Sequence, residues 1–217
     1  MESSSSESRR EYRTEAPPLR ENRLLQVLLA YTILFFIVMG VNPSHRMEWL
    51  AEHVTTFAVF YLILKFQRQL HLSNLSYLLI TIFFTLHIYG AHYGYAATPL
   101  GAWLQDLFHS QRNHYDRIVH FSFGLLFAYP CYEVLTRAVG LQGLMARCIA
   151  CALILAAGAF YELVECWASC ALVPGRGLDA IGAQGDIWDT QHDMALALYG
   201  SILTLSYPGW RRLFGDR

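Results

Sequence analysis

The sequence contains few charged residues. Asp, Glu, Lys and Arg make up 15% of its 217 residues, whereas soluble domains average about 25%. A soluble fold of this length needs charged side chains over its surface, but a helix bundle inside a bilayer does not. The formal net charge of −1 offers no basic surface to a polyanion. We therefore expect a membrane protein with the lipid bilayer as its surroundings and no nucleic acid partner.

Cysteine is sparse and lacks the pattern of a zinc ribbon. Cys148 and Cys151 have CxxC spacing, but no second Cys pair or His pair follows them. The five cysteines all lie in apolar stretches, so we expect buried apolar thiols. The N-terminus also lacks the apolar core and small-residue cleavage site of a removable signal peptide.

Three regions follow from the composition along the chain. Residues 1–23 are rich in Ser, Glu and Arg and contain a Pro pair, which is typical of a disordered polar tail. Residues 24–210 form the predicted transmembrane domain. Residues 211–217 are a short basic C-terminal tail.

Six apolar stretches indicate membrane-spanning helices. Several of them approach the ~20 residues needed to cross a ~30 Å hydrocarbon core. They lie at about 24–41, 47–64, 74–95, 114–136, 145–172 and 187–207. We predict an all-α fold, a polytopic membrane helix bundle with six transmembrane helices. The alternative is the buried helical core of a soluble protein.

The basic residues indicate the orientation of the bundle. Twelve of the sixteen Lys and Arg residues lie in the N-terminal tail, the second and fourth connections and the C-terminus. The remaining four are Arg46, Arg112, Arg117 and Arg176. Because cytoplasmic loops carry the excess of Lys and Arg, both termini are predicted to be cytoplasmic.

This orientation places most of the unusual polar residues in the outer half of the bundle. They are Glu52 on the second helix, His87 and His92 on the third, His114, Asp116, Arg117 and His120 on the fourth, Glu162 and Glu165 on the fifth, and Asp186, Asp189, His192 and Asp193 on the sixth. The inner half offers little beyond Glu133. Ionisable side chains at the centre of a membrane helix cost ~2.5–3.5 kcal/mol each, so they normally face partners, water or a ligand.

The spacing of these residues favours a metal site. Asp116 and His120 stack at i, i+4, and Glu162 and Glu165 stack at i, i+3. Inward-facing carboxylates and imidazoles on neighbouring helices are an established way to hold metal ions. Carboxylates mixed with imidazole suit Zn²⁺, Mn²⁺ or Mg²⁺. The predicted ligands are Asp116, His120, Asp189, His192 and Asp193, with Glu162 and Glu165 as further ligands or catalytic proton acceptors.

Structural roles compete with this hypothesis. Asp186 fits the first turn of a helix, where the dipole favours a carboxylate. Arg117 fits as the counter-charge of one acid. His87 shares a face with Gly90 and Gly94, so it also fits a close helix–helix contact. The alternative to a metal site is that all these polar residues form a purely structural hydrogen-bonded network.

Three segments resemble a known family. "HYDRIVHFSFGLLFAYP", "FYELVE" and "GDIWDTQHDMALALYG" occur in this order and resemble the YjdF-type bacterial inner-membrane proteins. "DRIVH", Glu162 and Asp189 also resemble VanZ-like membrane proteins. The first resemblance implies a multi-pass protein of the bacterial inner membrane. Neither family supplies a reaction, so function must be argued from the site.

Two functions fit these observations. The first is a metal-dependent hydrolase or transferase that acts on a lipid or lipid-linked substrate at the outer leaflet. The second is a non-enzymatic membrane protein, in which the polar group is a structural network, a ligand-binding vestibule or an ion or proton site. The absence of a Gly-x-Ser-x-Gly elbow argues against a serine hydrolase.

Overall fold

A computed structural model describes residues 19–172 and 183–207. Most of the two predicted tails, together with Arg176, lies outside these residues. Within the described ranges all regular structure is helical, which confirms the all-α prediction. The helices are α1 (Arg23–Met39), α2 (Arg46–Lys65), α3 (Gln67–Leu70), α4 (Asn74–Tyr93), α5 (Pro99–Leu107), α6 (Tyr115–Arg137), α7 (Gly143–Leu172) and α8 (Asp189–Ser206), with a 3₁₀ turn at Tyr95–Ala97.

Each of the six apolar stretches contains one long helix, and two short helices lie between them. α1 begins directly after Asn22, whose side chain accepts a hydrogen bond from the Leu25 N–H at 3.0 Å. Such a cap satisfies one of the free N–H groups of the first turn. The Asn22 side chain also donates to Asn74 Oδ1 at 2.8 Å. This bond joins the N-terminal ends of α1 and α4.

Among the helices of the described ranges, four are long and apolar enough to cross a membrane: α2, α4, α6 and α7. α1 is equally apolar but has 17 residues, and α8 carries Asp189 and Asp193 near its start. Large apolar side chains such as Leu34, Phe57 and Leu203 are exposed on the outer surface of the bundle. Apolar patches of this extent mark a surface that contacts something other than water, here the acyl chains of lipids.

The cysteines correct one sequence prediction. The five thiols are free, but Cys148, Cys166 and Cys170 are exposed. The prediction of buried thiols is wrong for these three because they lie on the outward face of α7. Apolar sequence surroundings in a membrane helix do not distinguish a lipid-facing residue from a core residue.

α6 lies at the centre of the bundle, where it packs against α4, α7 and α8. Its contact with α8 is unusually close. A Cβ on Gly124 would lie 1.8 Å from the Ala197 carbonyl oxygen, and a Cβ on Gly200 would lie 2.3 Å from that of Phe121. Small residues allow two membrane helices to approach at backbone distance. This approach sets the rotation of α8 and therefore which of its polar side chains face α6.

At one end of the bundle Glu133 is fully enclosed by donors. Its Oε2 accepts from the Ser73 N–H at 2.7 Å and from Ser76 Oγ at 2.5 Å. Its Oε1 accepts from the Tyr129 hydroxyl at 3.3 Å and lies 2.7 Å from Arg137 Nη1. These bonds tie the N-terminal end of α4 to the C-terminal end of α6. Glu133 is a satisfied structural carboxylate.

Candidate functional site

The other polar residues gather at the opposite end of the bundle. There the N-terminal ends of α2, α6 and α8 meet the C-terminal ends of α4 and α7. Glu162 Oε1 of α7 lies 3.3 Å from His120 Nε2 of α6, and the Tyr161 hydroxyl donates to Glu52 Oε2 of α2. We call this end the acidic end. Its formation agrees with the predicted common depth of these residues.

Five residues at the acidic end form a centre around His120. Ligand atoms of Asp116, His120 and Asp193 lie within 4.8 Å of one another, and so do those of His120, Glu162 and Glu165. The two groups share His120, whose Nε2 is 3.5 Å from Asp116 Oδ1. Glu165 is half-buried and the other four are buried. We call these five residues the acidic centre.

Within the described part of the chain, no Lys or Arg side chain is in direct contact with the carboxyl groups of the acidic centre. No Lys or Arg nitrogen of the described residues lies within 4.0 Å of its four carboxyl groups. Asp193 is 2% exposed, and its Oδ1 has no hydrogen-bond partner among the described groups. Burying a carboxylate without a partner costs several kcal/mol, so buried carboxylates are normally paired, protonated or bound to a metal. The geometry therefore leaves room for a cation or for protons.

A second group of residues, nearer the surface, is neutralised by two arginines. Arg112 Nη2 lies 2.5 Å from Asp189 Oδ1, and its Nη1 donates to the Ala183 carbonyl at 2.8 Å. Arg117 pairs with Asp186 and lies 3.5 Å from Asp189 Oδ1. Asp189 and Asp186 thus have counter-charges, unlike Asp193.

Arg112, Arg117, Asp186 and Asp189 form a group that we call the arginine layer. His192 lies at its exposed edge. Its Nδ1 is 3.0 Å from Asp186 Oδ2, and its side chain is 53% exposed. The Trp188 N–H donates to Asp186 Oδ1 at 2.9 Å. This backbone bond, with His192 and Arg117, holds the pKa of Asp186 below its usual value. His192 is therefore directed to Asp186 and not to His120.

A hydrogen-bonded group of α2 and α4 residues adjoins the acidic centre. His87 Nε2 lies 2.8 Å from Thr56 Oγ1, and its Nδ1 lies 2.6 Å from the Tyr95 hydroxyl. Both ring nitrogens are thus engaged. The Tyr161 ring, whose hydroxyl bonds Glu52, contacts the His120 ring at a centroid distance of 6.0 Å. Glu52 and His87 both contact Tyr161, which lies between them and His120. Neither residue belongs to the acidic centre.

His92 and His114 make local contacts elsewhere. His92 Nδ1 lies 2.6 Å from the Met39 carbonyl oxygen, where it joins α4 to the end of α1. His114 Nε2 lies 2.8 Å from Ser110 Oγ in the turn before α6. Neither ring is directed at the acidic centre.

Sequence reasoning missed the parts played by Arg112 and Asn113. In the sequence Arg112 counts only as one of the basic residues that indicate the orientation of the bundle. In the structure it is buried and pairs with Asp189. Asn113 holds the loops around the site: its backbone N–H and C=O bond both ends of the Gln184 amide at 3.0 Å, and its Nδ2 donates to the Thr98 carbonyl at 3.2 Å. Both residues directly precede "HYDR" in the sequence, and this position indicates that they lie close to the site.

Comparison with known proteins identifies the family. The family described as "Predicted membrane protein (DUF2238)" matches residues 24–212. The chain belongs to the DUF2238 family. This membership agrees with the apolar helices of the bundle, and the chain is a multi-pass membrane protein.

A curated relative supports the same assignment. The DUF2238 chain is 37% identical over 176 residues to "Inner membrane protein YjdF" of Escherichia coli (strain K12), which covers 80% of this chain and 83% of the relative. The predicted resemblance to YjdF-type proteins is thereby confirmed. No solved structure matches the chain.

Proposed function

We propose that Asp116, His120 and Asp193 bind a divalent metal ion. The observation that carries this proposal is the buried carboxyl group of Asp193. Its Oδ1 has no hydrogen-bond donor within the described residues, and one of its oxygens lies within 4.8 Å of ligand atoms on α6. An ion there would supply a positive charge next to the four carboxyl groups of the acidic centre. Oxygen ligands with one imidazole suit Zn²⁺, Mn²⁺ or Mg²⁺.

The arginine layer narrows the ligand set. Asp189 and His192 were predicted as ligands together with Asp193. The ion pair between Arg112 and Asp189, at 2.5 Å, and the contact between His192 and Asp186, at 3.0 Å, give these two residues other partners. We therefore assign Asp189 to the support of α8 and His192 to the rim.

Glu162 and Glu165 are the proposed catalytic carboxylates. Both share His120 with the metal ligands, and their ligand atoms lie within 4.8 Å of it. When bound, the ion would act as a Lewis acid. A carboxylate then takes a proton from an attacking water, whose oxygen bonds to the acyl carbon or phosphorus. The bond to the leaving oxygen breaks, and the carboxyl returns its proton to that oxygen. A transferase replaces water with an alcohol.

A lipid or a lipid-linked molecule is the proposed substrate. Glu162 lies beside Leu163, which is exposed on the outward face of α7 together with Phe160. The acidic centre is thus one residue away from the lipid-facing surface. Trp188, which precedes α8, is also exposed at this end. A substrate whose reactive group is polar and whose tail remains among acyl chains fits these surroundings.

We also propose six crossings with both termini in the cytoplasm of a bacterial inner membrane. The helix ends alternate between the acidic end and the Glu133 end, which supports successive crossings. Lys and Arg are in excess in the sequence before α1, after α8 and in the connections at the Glu133 end, which supports a cytoplasmic position for that end. A periplasmic reporter fused after Arg217 is expected to be inactive, and an active one would contradict the orientation.

Metal content tests the proposal directly. The full chain is purified in detergent without chelator, and bound metal is measured by inductively coupled plasma mass spectrometry. We expect stoichiometric divalent metal in the wild type and its loss in His120→Ala and Asp193→Asn. Asp106→Asn, at an exposed position of α5, serves as the control that retains it. Metal-free wild-type protein that also fails to take up added Zn²⁺, Mn²⁺ or Mg²⁺ contradicts the metal site.

Activity separates the enzyme from the non-enzymatic alternative. Metal-loaded protein is incubated with short-chain lipid esters, phospholipids and polyprenyl diphosphates, and released products are detected by mass spectrometry. We expect turnover of one class that is lost in Glu162→Gln and Glu165→Gln together. Metal binding without turnover of any substrate class would contradict the enzyme and favour the non-enzymatic alternative, in which the site binds a ligand or is structural.

A further inference from the structure

The short helix α5 has a surface that no described element covers. Leu100, Trp103 and Leu107 are exposed, and Trp103 is 59% exposed. At ~100° per residue these three side chains project within an arc of about 60°. Phe108, directly after the helix, is 72% exposed. A nine-residue helix is roughly 13 Å long and cannot cross a ~30 Å hydrocarbon core.

The opposite surface of α5 is fixed to the acidic end. A Cβ on Gly101 would lie 1.8 Å from Asn113 Oδ1, so the helix backbone rests directly on this side chain. Thr98 is fully buried, and its hydroxyl accepts from the Gly101 N–H at 3.3 Å. The Leu100 N–H donates to the Tyr89 hydroxyl of α4 at 3.3 Å. These contacts hold α5 at the level where α4 ends and α6 begins.

A third side of α5 is polar. Asp106 is exposed and projects roughly 90° from the centre of the apolar arc, on the side away from Gly101. The helix thus has one side towards the protein, one apolar side and one side with a carboxylate. An element with these three sides is suited to the plane of a membrane interface, with Trp at the headgroup level.

We infer that α5 is an interfacial helix, whose Leu100, Trp103 and Leu107 insert into the headgroup–acyl boundary of the leaflet at the acidic end. α5 connects the C-terminal end of α4 to the N-terminal end of α6, two helices that are long and apolar enough to cross a membrane. The apolar arc therefore lies at the level of a membrane surface, which argues for lipid as the occupant. α5 contains no basic residue, so its insertion depends on apolar burial and does not require anionic lipid. Asn113 contacts α5, and the adjacent Arg112 pairs with Asp189, so α5 is connected to the start of α8.

Spin-label accessibility tests this placement. The five cysteines are replaced by Ser or Ala in the full chain, and single cysteines are introduced as Trp103→Cys, Leu107→Cys or Asp106→Cys. The labelled proteins are reconstituted in phosphatidylcholine vesicles. Collision rates with oxygen, which partitions into lipid, and with a water-soluble nickel chelate are then measured. Phe57→Cys, on the exposed face of α2, gives the reference for a lipid-facing label.

We expect the oxygen-to-nickel collision ratio to be severalfold higher at positions 103 and 107 than at position 106, without added anionic lipid. Equal ratios at the three positions would overturn the inference, because the apolar side and the Asp106 side of α5 would then have the same surroundings. Protection of positions 103 and 107 from both reagents would also overturn it, since a protein partner or a second copy would then cover the helix. The two apolar positions serve as independent tests if one variant does not fold.

Discussion

The Gly124 Cα of α6 lies against the Ala197 carbonyl of α8, with no space for a side chain between the two helices. On the same interface, Thr204 Oγ1 donates to the Leu125 carbonyl oxygen at 2.7 Å. This close contact brings Asp193 beside Asp116 and His120. The acidic centre therefore depends on small residues that carry no functional group.

Gly124→Ala is expected to separate α6 from α8. The added Cβ would lie 1.8 Å from a backbone carbonyl oxygen, which cannot move without its helix. Overpacking of this kind costs about 1–3 kcal/mol or more. We expect a lower thermal unfolding temperature in detergent and loss of bound metal. In the matched control, Gly158→Ala, the new Cβ would lie 3.6 Å from the Ala197 Cβ, an ordinary contact. Equal effects of the two variants would contradict the close packing.

Arg112→Ala is expected to destabilise the fold strongly. It leaves the buried Asp189 carboxylate without the guanidinium 2.5 Å away, and removal of one partner of a buried ion pair typically costs about 3–5 kcal/mol. The double variant Arg112→Ala/Asp189→Ala should recover much of this loss, because it leaves no uncompensated charge. Unfolding by heat or denaturant measures both. Arg147→Ala is the control, since Arg147 Nε bonds within its own helix at 3.4 Å. Additive losses in the double variant would contradict the pair.

Asp186 gives the fold a dependence on pH. Its pKa in the folded chain is lowered, chiefly by the Trp188 N–H and further by His192 and Arg117, from an ordinary value of about 3.9. A lowered folded-state pKa stabilises the fold above the unfolded-state pKa, and this contribution is lost as pH falls through the folded-state value. We expect Asp186→Asn to unfold at a lower temperature than wild type at pH 7, with the difference shrinking as pH falls below the ordinary carboxyl pKa of about 3.9. A difference that is constant with pH would contradict this role, and Asp106→Asn on α5 is the control.

The sequence predicted the fold class and the shared faces of the paired polar residues on α6 and α7, because both depend on helical periodicity. Asp116 with His120, and Glu162 with Glu165, needed only spacing and alternating helix direction. The position of Asp186 could not be derived in this way, since α8 begins at Asp189 and a helical projection does not apply before it.

The partners of Asp189 and His192 depend on features that periodicity does not encode. Arg112 reaches Asp189 from a loop, and the rotation of α8 is set by Gly124 and Gly200. α5 escaped detection because nine residues are too few for a membrane-span pattern. The exposure of Cys148, Cys166 and Cys170 does not follow from the sequence for a related reason: apolar residues occur on both faces of a spanning helix.

The identity of the nitrogen ligand tests the central claim most directly. The protein is loaded with Mn²⁺, and electron spin-echo envelope modulation detects imidazole nitrogen coordinated to the ion. We predict one imidazole nitrogen in the wild type, its loss in His120→Ala, and its retention in His192→Ala and His87→Ala. Bound Mn²⁺ without a coordinated imidazole, or a nitrogen signal that disappears in His192→Ala and persists in His120→Ala, would contradict the assignment of the metal to Asp116, His120 and Asp193.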